Sequence, residues 1–338
     1  MTIVSAELYA QKSKVVANDA TNGGRMSENR IVTNVDENVF PVIFSQQLLD
    51  GIDYDRKLFW WVRNDDDLSL QYAFQRLYDI LSTEAYAYFW LGTARDTMAD
   101  YATNTETKYG VGRLKTDIAA SATVLTVTVP HADLASGTHA IYAAGTLVAI
   151  TDKETYLSGT GNVELREIDS IDSVSGMDVT MTLTVALANA YTEAAPTKIQ
   201  SYPAKATIGT SVDNVVKTGI GTTTFDENAV TLDNIGTREQ TITFEMLDAT
   251  NFTATSDDPD ITLAAGVISS DYAPNHPTEA KPYFTIPAGT IAGSPVVGDT
   301  FSFQTHAATV AIWEHLEVPA ATSAGLTSLT MVNSGESA

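Results

Sequence analysis

Two adjacent tryptophans, Trp60 and Trp61, constrain this chain more than any other pair of residues. They sit in residues 54–91, a stretch that holds three of the four tryptophans. Neighbouring side chains on a strand point to opposite faces. One of the two rings therefore faces away from its own sheet's core, and an inserted unit or another subunit must cover it. The stretch runs Tyr54-Asp55-Arg56-Lys57-Leu58-Phe59-Trp60-Trp61-Val62, a polar corner at Arg63-Asn64-Asp65-Asp66-Asp67, an apolar-rich run from Leu70 to Leu81, and Tyr86-Ala87-Tyr88-Phe89-Trp90-Leu91. Leu70, Phe74, Leu77 and Leu81 also fall at helical spacing. The enrichment in Tyr, Phe and Trp favours strands.

The chain has 338 residues, too many for one small sandwich and suited to two or three compact units. A chain of this size buries roughly 75% of its unfolded surface. It has no cysteine, so disulfides, thiolate metal sites and thiol nucleophiles are excluded together. The first residues lack a basic start followed by an apolar run, so no secretory signal is expected. No apolar stretch reaches the roughly 20 residues of a membrane helix, and a soluble protein without membrane insertion is expected. Net charge is −23, divided as −6, −5, −9 and −3 over residues 1–108, 109–201, 202–308 and 309–338. With every segment acidic, no basic arm is expected, and neither is sequence-specific nucleic-acid binding, which needs clustered Lys or Arg. A uniformly acidic surface keeps a concentrated protein soluble, or faces DNA without sticking to it.

Residues 1–35 are polar and irregular, with a turn at Asn22-Gly23-Gly24. They read as a mobile tail or as an extended arm on a neighbour, and the recurring apolar pairs Ile3-Val4, Val15-Val16 and Ile31-Val32 favour the arm. Pro41 makes residues 38–44 an edge strand or an extended connection. Residues 92–108 read as a polar linker. Residues 109–201 form a small β module, with strands expected at 123–129, 140–150, 163–168 and 179–185 and a hairpin turn at 174–178. Residues 202–308 form a second β-rich module, with strands expected at 240–246, 251–255 and 300–303. The last segment carries Trp313, and residues 326–332 alternate once more. With too little apolar area for a unit of their own, residues 309–338 are expected to return to residues 36–108 and complete that sheet. The expected fold class is all-β: a multi-domain antiparallel β-sandwich, Ig-like, with inserted small β modules and an extended N-terminal arm. The expected contact residues toward other subunits are Trp60, Trp61, Trp90, Trp313, Val15, Val16 and Phe40.

No residue set states a chemistry. The five histidines (His131, His139, His276, His306, His315) lack the i, i+4 pairing of a zinc hydrolase and read as satisfied surface histidines. Asn64-Asp65-Asp66-Asp67 and Asp257-Asp258-Pro259-Asp260 offer hard oxygens, yet neither has the alternate spacing and closing glutamate of a calcium loop. They read as turn residues and as guards against edge pairing. Gly110-Val111-Gly112 and Gly159-Thr160-Gly161 lack the strand-then-helix context of a phosphate cradle. No nucleophile has a base beside it. No catalytic residue, cofactor or metal is expected, and the chain reads as a non-enzyme.

Several segments resemble a family of tailed-bacteriophage virion proteins found among the tail and baseplate genes of Mu-like phages. They are Lys12-Ser13-Lys14-Val15-Val16, Asn22-Gly23-Gly24-Arg25-Met26-Ser27-Glu28-Asn29, Asn38-Val39-Phe40-Pro41 and Tyr54-Asp55-Arg56-Lys57-Leu58-Phe59. Later ones are Ser269-Ser270-Asp271-Tyr272-Ala273-Pro274-Asn275, Lys281-Pro282-Tyr283-Phe284-Thr285, Phe303-Gln304-Thr305-His306-Ala307-Ala308, Ile312-Trp313-Glu314 and Val318-Pro319-Ala320. Residues 68–82 depart from the family's pattern with a longer apolar run. The resemblance implies a virion structural protein of the tail, in tube or baseplate, assembled in the host bacterial cytoplasm. Its partners would be other copies of itself and neighbouring virion proteins. A different reading of the aromatics is a carbohydrate- or cell-surface-binding β-protein.

Overall fold

The computed structural model describes residues 2–337, except Thr33, Asn34, Asp36, Ser82, Thr83, Ala102, Thr103, Pro196 and residues 323–327. Leu326, the expected start of the last strand, lies outside the described residues. The fold is all-β, made of antiparallel sheets in several packed units. At its centre is the strand Ile52–Val62. On one side it pairs with Thr309–Val318, from Val318 opposite Ile52 to Thr309 opposite Trp61, and that strand pairs in turn with Tyr86–Leu91. The return of the chain's end to the early aromatic strands is thus direct hydrogen-bonded pairing.

On its other side Ile52–Val62 pairs with Leu8–Val15, which turns back as Gly23–Ile31. The extended arm expected for residues 1–35 is therefore a folded hairpin, the edge of this chain's own five-stranded sheet. Its few apolar groups did not announce a strand because its partners, and not its own side chains, supply the burial. Gly23 sits at the turn with φ +112°, where a Cβ would come 2.7 Å from the Trp313 ring. Only glycine combines that conformation with so close an approach.

A three-stranded sheet of Ala206–Ile208, Leu70–Leu81 and Ser328–Ser337 covers one face of the central sheet. The ambiguous run at 70–81 is a strand, and Tyr72 marks an irregularity in it with φ +51°. Leu77, Leu329 and Met331 pack against Tyr54, Leu58, Phe89, Ile312 and Leu316. Residues 37–44 carry no strand, and a short helix, Ser45–Asp50, follows them.

The opposite face carries Lys57, Phe59, Trp61 and Trp313, and two further units cover it. A closed six-stranded barrel is built from Val111–Leu114, Val124–Thr128, Leu147–Thr151, Val163–Ser175, Asp178–Leu183 and Lys198–Tyr202. The strand expected at 140–150 is confined to Leu147–Thr151, because the chain turns at residues 143–146, where the Thr146 amide donates to the Ala143 carbonyl and Gly145 has φ +80°. Tyr86, Tyr88, Trp90 and Trp313 join the barrel's core, with Trp90 and Trp313 stacked 6.0 Å apart. The third unit is a five-stranded sheet in the order Ser211–Thr218, Thr300–His306, Gln240–Met246, Asn251–Ser256, Gly266–Val267, with its own phenylalanine-rich core. Trp61 Nε1 donates to the Asn234 carbonyl of this unit at 2.7 Å. The ring that parity turned away from the sheet is thus covered from within the chain.

The hairpin turn, the central sheet and residues 92–108 meet at Asp96, in the segment that composition marked as linker. Its carboxylate pairs with the Lys57 ammonium, which is fully buried, and accepts from Trp313 Nε1 at 3.2 Å, the Thr93 amide at 3.0 Å and the Tyr101 hydroxyl. Its backbone carbonyl accepts from Lys57 Nζ at 2.9 Å and from the Gly24 amide at 2.8 Å. Lys57 also donates to the Gly24 carbonyl at 2.7 Å. Burial lowers the Lys57 pKa, and the Asp96 carboxylate opposes that shift. Removing one member of such a pair leaves an uncompensated buried charge. Asp96→Ala is therefore expected to lower the unfolding free energy by about 3–5 kcal/mol, read from the urea midpoint.

Candidate functional site

The densest set of ionisable and aromatic side chains lies at one end of the central sheet. In the register, His315 stands opposite Asp55 and Tyr88, and Glu317 opposite Asp53 and Tyr86. A period of two puts all six side chains on one face, with cross-strand neighbours about 5 Å apart. His315 Nδ1 lies 2.8 Å from an Asp55 oxygen, and its Nε2 lies 3.3 Å from Glu317. Ionised carboxylates only accept, so the ring carries both protons. Burial works against that charge, but the bonds to Asp55 and Glu317 outweigh it and push His315 up to about 9. Tyr88 stacks on His315 and on His139 of the barrel, and Tyr86 stacks on His131.

Beside this set opens a cavity of about 280 Å³ lined by Ala17, Asn18, Asp19, Asn22, Asp53 and Asp55. Ligand atoms of Asp53, Asp55 and His315 lie within 4.8 Å of one another. They are the described residues best placed to converge on a cation, which would have to displace a proton from His315. As it stands, His315 is the counter-ion of Asp55 and Glu317.

The acidic runs singled out in the sequence have other partners. Asn64 Oδ1 accepts from the Asp66 and Leu68 amides and closes its own turn, while Asp67 accepts from the Asn234 amide. Asp257 pairs with Arg25 at 2.7 Å and with Arg95, Asp258 with Lys14, and Asp260 with Lys14 at 2.6 Å. These contacts tie the N-terminal hairpin to the third unit. Glu28 extends the seam to Arg238 at 3.1 Å and His276 at 3.4 Å. The His276 hydrogen bond, opposed by burial and aided by Arg238, brings Glu28 down to about 2. Next to it His306 bridges Glu239 at 2.8 Å and Asp213 at 3.0 Å, bonds that raise it to about 9 against burial.

The expected surface histidines are thus corrected: His276 is buried, and His306 and His315 are half-buried and bonded to carboxylates. The expected contact residues divide. Trp61, Trp90 and Trp313 belong to the chain's own core and present nothing to another subunit, because the barrel and the third unit cover them. Trp60 and Phe40 are half-buried against the central cluster. Val15 and Val16 are exposed, at 41% and 48%. Sequence reading missed Glu314. It lies between Ile312 and Leu316 on the core-facing side, opposite Arg56 in the register. Arg56 spends its Nη1 on the Ala17 and Asp55 carbonyls. Burial alone pushes Glu314 up to about 8.

A raised acid binds in the folded state a proton that the unfolded chain has already lost. Glu314 should therefore cost about 1.4 kcal/mol of stability per pH unit between its ordinary 4.5 and about 8. His306 adds stability that is complete below 6.5 and lost as pH rises through about 9, and Glu28 adds stability that is lost as pH falls through about 2. Urea unfolding at pH 5 and 8 should show the wild type weaker at pH 8, with much of that loss absent in Glu314→Gln. With His315 already paired, millimolar Ca²⁺ or Zn²⁺ should leave the melting temperature unmoved. A rise that Asp55→Asn abolishes would reassign Asp53, Asp55 and His315 as a metal centre.

No protein-family model, no curated protein and no solved structure matches this chain.

Proposed function

We propose that the chain is a non-enzymatic structural component of a tailed-bacteriophage virion, a tail protein of tube or baseplate that packs with copies of itself into rings. The observation that carries this reading is where the chain spends its chemistry and what it leaves outside. Trp61, Trp90 and Trp313 fasten the units to one another, and Lys57 with Asp96 locks the hairpin turn to the central strand, which suits a rigid brick. Outside, residues 32–49 gather several large apolar groups in solvent, Val32, Val35, Val42, Phe44 at 67% and Leu49 at 61%, besides isolated ones such as Leu157, Ile220 and Val297 elsewhere. An apolar run of this kind marks a contact surface more often than idle surface. The family-like segments support the reading by their placement, since they fall in the hairpin, the central strand, the third unit and the returning strand. None falls in the barrel strands.

Ring assembly by one chain uses two different surfaces of each copy, head to tail. The purified chain is expected to form particles larger than a monomer by light scattering, with rings visible by electron microscopy. Phe44→Asp with Leu49→Asp should shift that distribution to monomer while leaving the melting temperature within about 2 °C, because exposed substitutions move stability little. A wild-type chain that stays monomeric at every concentration tested would overturn the reading.

A further inference from the structure

The hairpin of residues 8–31 has the wrong charge for this protein. It carries Lys12, Lys14, Arg25 and Arg30 against Asp19 and Glu28, a net +2 in a chain of −23. The expectation of no basic arm, drawn from larger windows, concealed it. Its seat is the reverse. The third unit presents Asp257, Asp258 and Asp260 to Lys14 and Arg25, and presents Arg238 and His276 to the hairpin's one inward acid, Glu28. Backbone pairing with Ile52–Val62 adds to this, from Leu8 opposite Val62 to Lys12 opposite Leu58, and the turn is held at Gly24 by the Lys57 ammonium and the Asp96 carbonyl, groups that a second copy also offers. Among the hairpin's large apolar side chains only Met26 is buried, and Val15 is exposed.

We propose that this hairpin exchanges between copies, seating in the assembled protein on the Ile52–Val62 edge and the third unit of a second copy of this chain. The inference rests on the assembly reading above and names the connector within it. A second copy offers the same carboxylates, the same guanidinium and the same strand edge, so the bonds broken when the hairpin leaves form again where it lands. Part-exposed ion pairs hold weakly and are screened by salt. They release more readily than an apolar core. Residues 32–44 join the hairpin to the central strand's side of the chain, and no strand or helix falls among their described residues. Thirteen residues reach about 43–47 Å when extended. Withdrawal of the hairpin bares the edge of Ile52–Val62, a template for another strand. Each opened copy is then donor at one place and acceptor at another, which is the head-to-tail relation that closes rings.

The absence of cysteine makes the test clean. Lys14→Cys and Asp260→Cys are introduced together into the full chain, at side chains that touch across the seam, and joined by a short bis-maleimide after assembly. Exchange predicts a ladder at multiples of the chain mass on denaturing gels. It also predicts cross-linked dimers when the two single-cysteine chains are mixed before assembly. Assembled particles that yield only internally linked single chains would overturn the exchange and leave the assembly reading standing. A chain that remains monomeric throughout would overturn both. Melting curves of the double variant, which loses the Lys14 pairs and is expected to melt below wild type in a single cooperative transition, separate these outcomes from misfolding.

Discussion

The buried pair of Lys57 and Asp96 sets the terms for the rest of the molecule. A lysine on the central strand, two residues from Phe59 and four from Trp61, has no route to water once the barrel and the third unit close over that face. Its charge stays in place because Asp96, the Asp96 carbonyl and the Gly24 carbonyl surround it. Those partners come from two separate parts of the chain, the hairpin turn and residues 92–108. The ammonium can be satisfied only when the hairpin turn, the central strand and residues 92–108 are all in position. Buried ion pairs add little net stability compared with apolar packing, while a half-made pair is costly. The pair therefore acts less as glue than as a condition that alternative arrangements of the units do not meet.

Strand parity made much of this legible. It placed Trp60 and Trp61 on opposite faces and required outside cover for one of them, which the Asn234 carbonyl supplies to Trp61. The return of residues 309–318 followed from their having too little apolar area to stand alone. The same parity, carried further, would have exposed Glu314. Ile312 and Leu316 flank it at the same phase, so it must face the core that they face. Charge was read as a sign of exposure, and here phase outweighs charge. Lys57 is the same case, in phase with Phe59 and Trp61.

What the sequence withheld was non-local. The strand Leu8–Val15 reads LYAQKSKV, with lysines at alternate positions and no run of large apolar groups. Nothing in those eight residues says that Lys14 will meet Asp258 and Asp260, which lie more than 240 positions away. Residues 92–108 looked like a linker for the same reason. Polar side chains favour loops when their partners are water, and Asp96 finds its partners in Lys57, Thr93, Tyr101 and Trp313. Composition cannot distinguish a solvated polar residue from one that several segments converge upon. The cluster at Asp53, Asp55, His315 and Glu317 was hidden in the same way, since it exists only in the register of two strands some 260 residues apart.

The distribution of charge follows from scarcity. With 19 Lys and Arg side chains against 42 acidic ones, several cations in the seam serve more than one anion. Lys14 holds Asp258 and Asp260, Arg95 holds Glu239 and Asp257, and His306 spans Glu239 and Asp213. Sharing of this kind lowers the entropic cost per bond, because one side chain is ordered for two partners. It also makes the pairs interdependent: Lys14 is the shared partner of Asp258 and Asp260, while Asp257 and Glu239 each lean on two cations. The hairpin and the third unit are therefore joined by a shared network of ion pairs, whereas stacked aromatic rings fill the joint between the barrel and the central sheet.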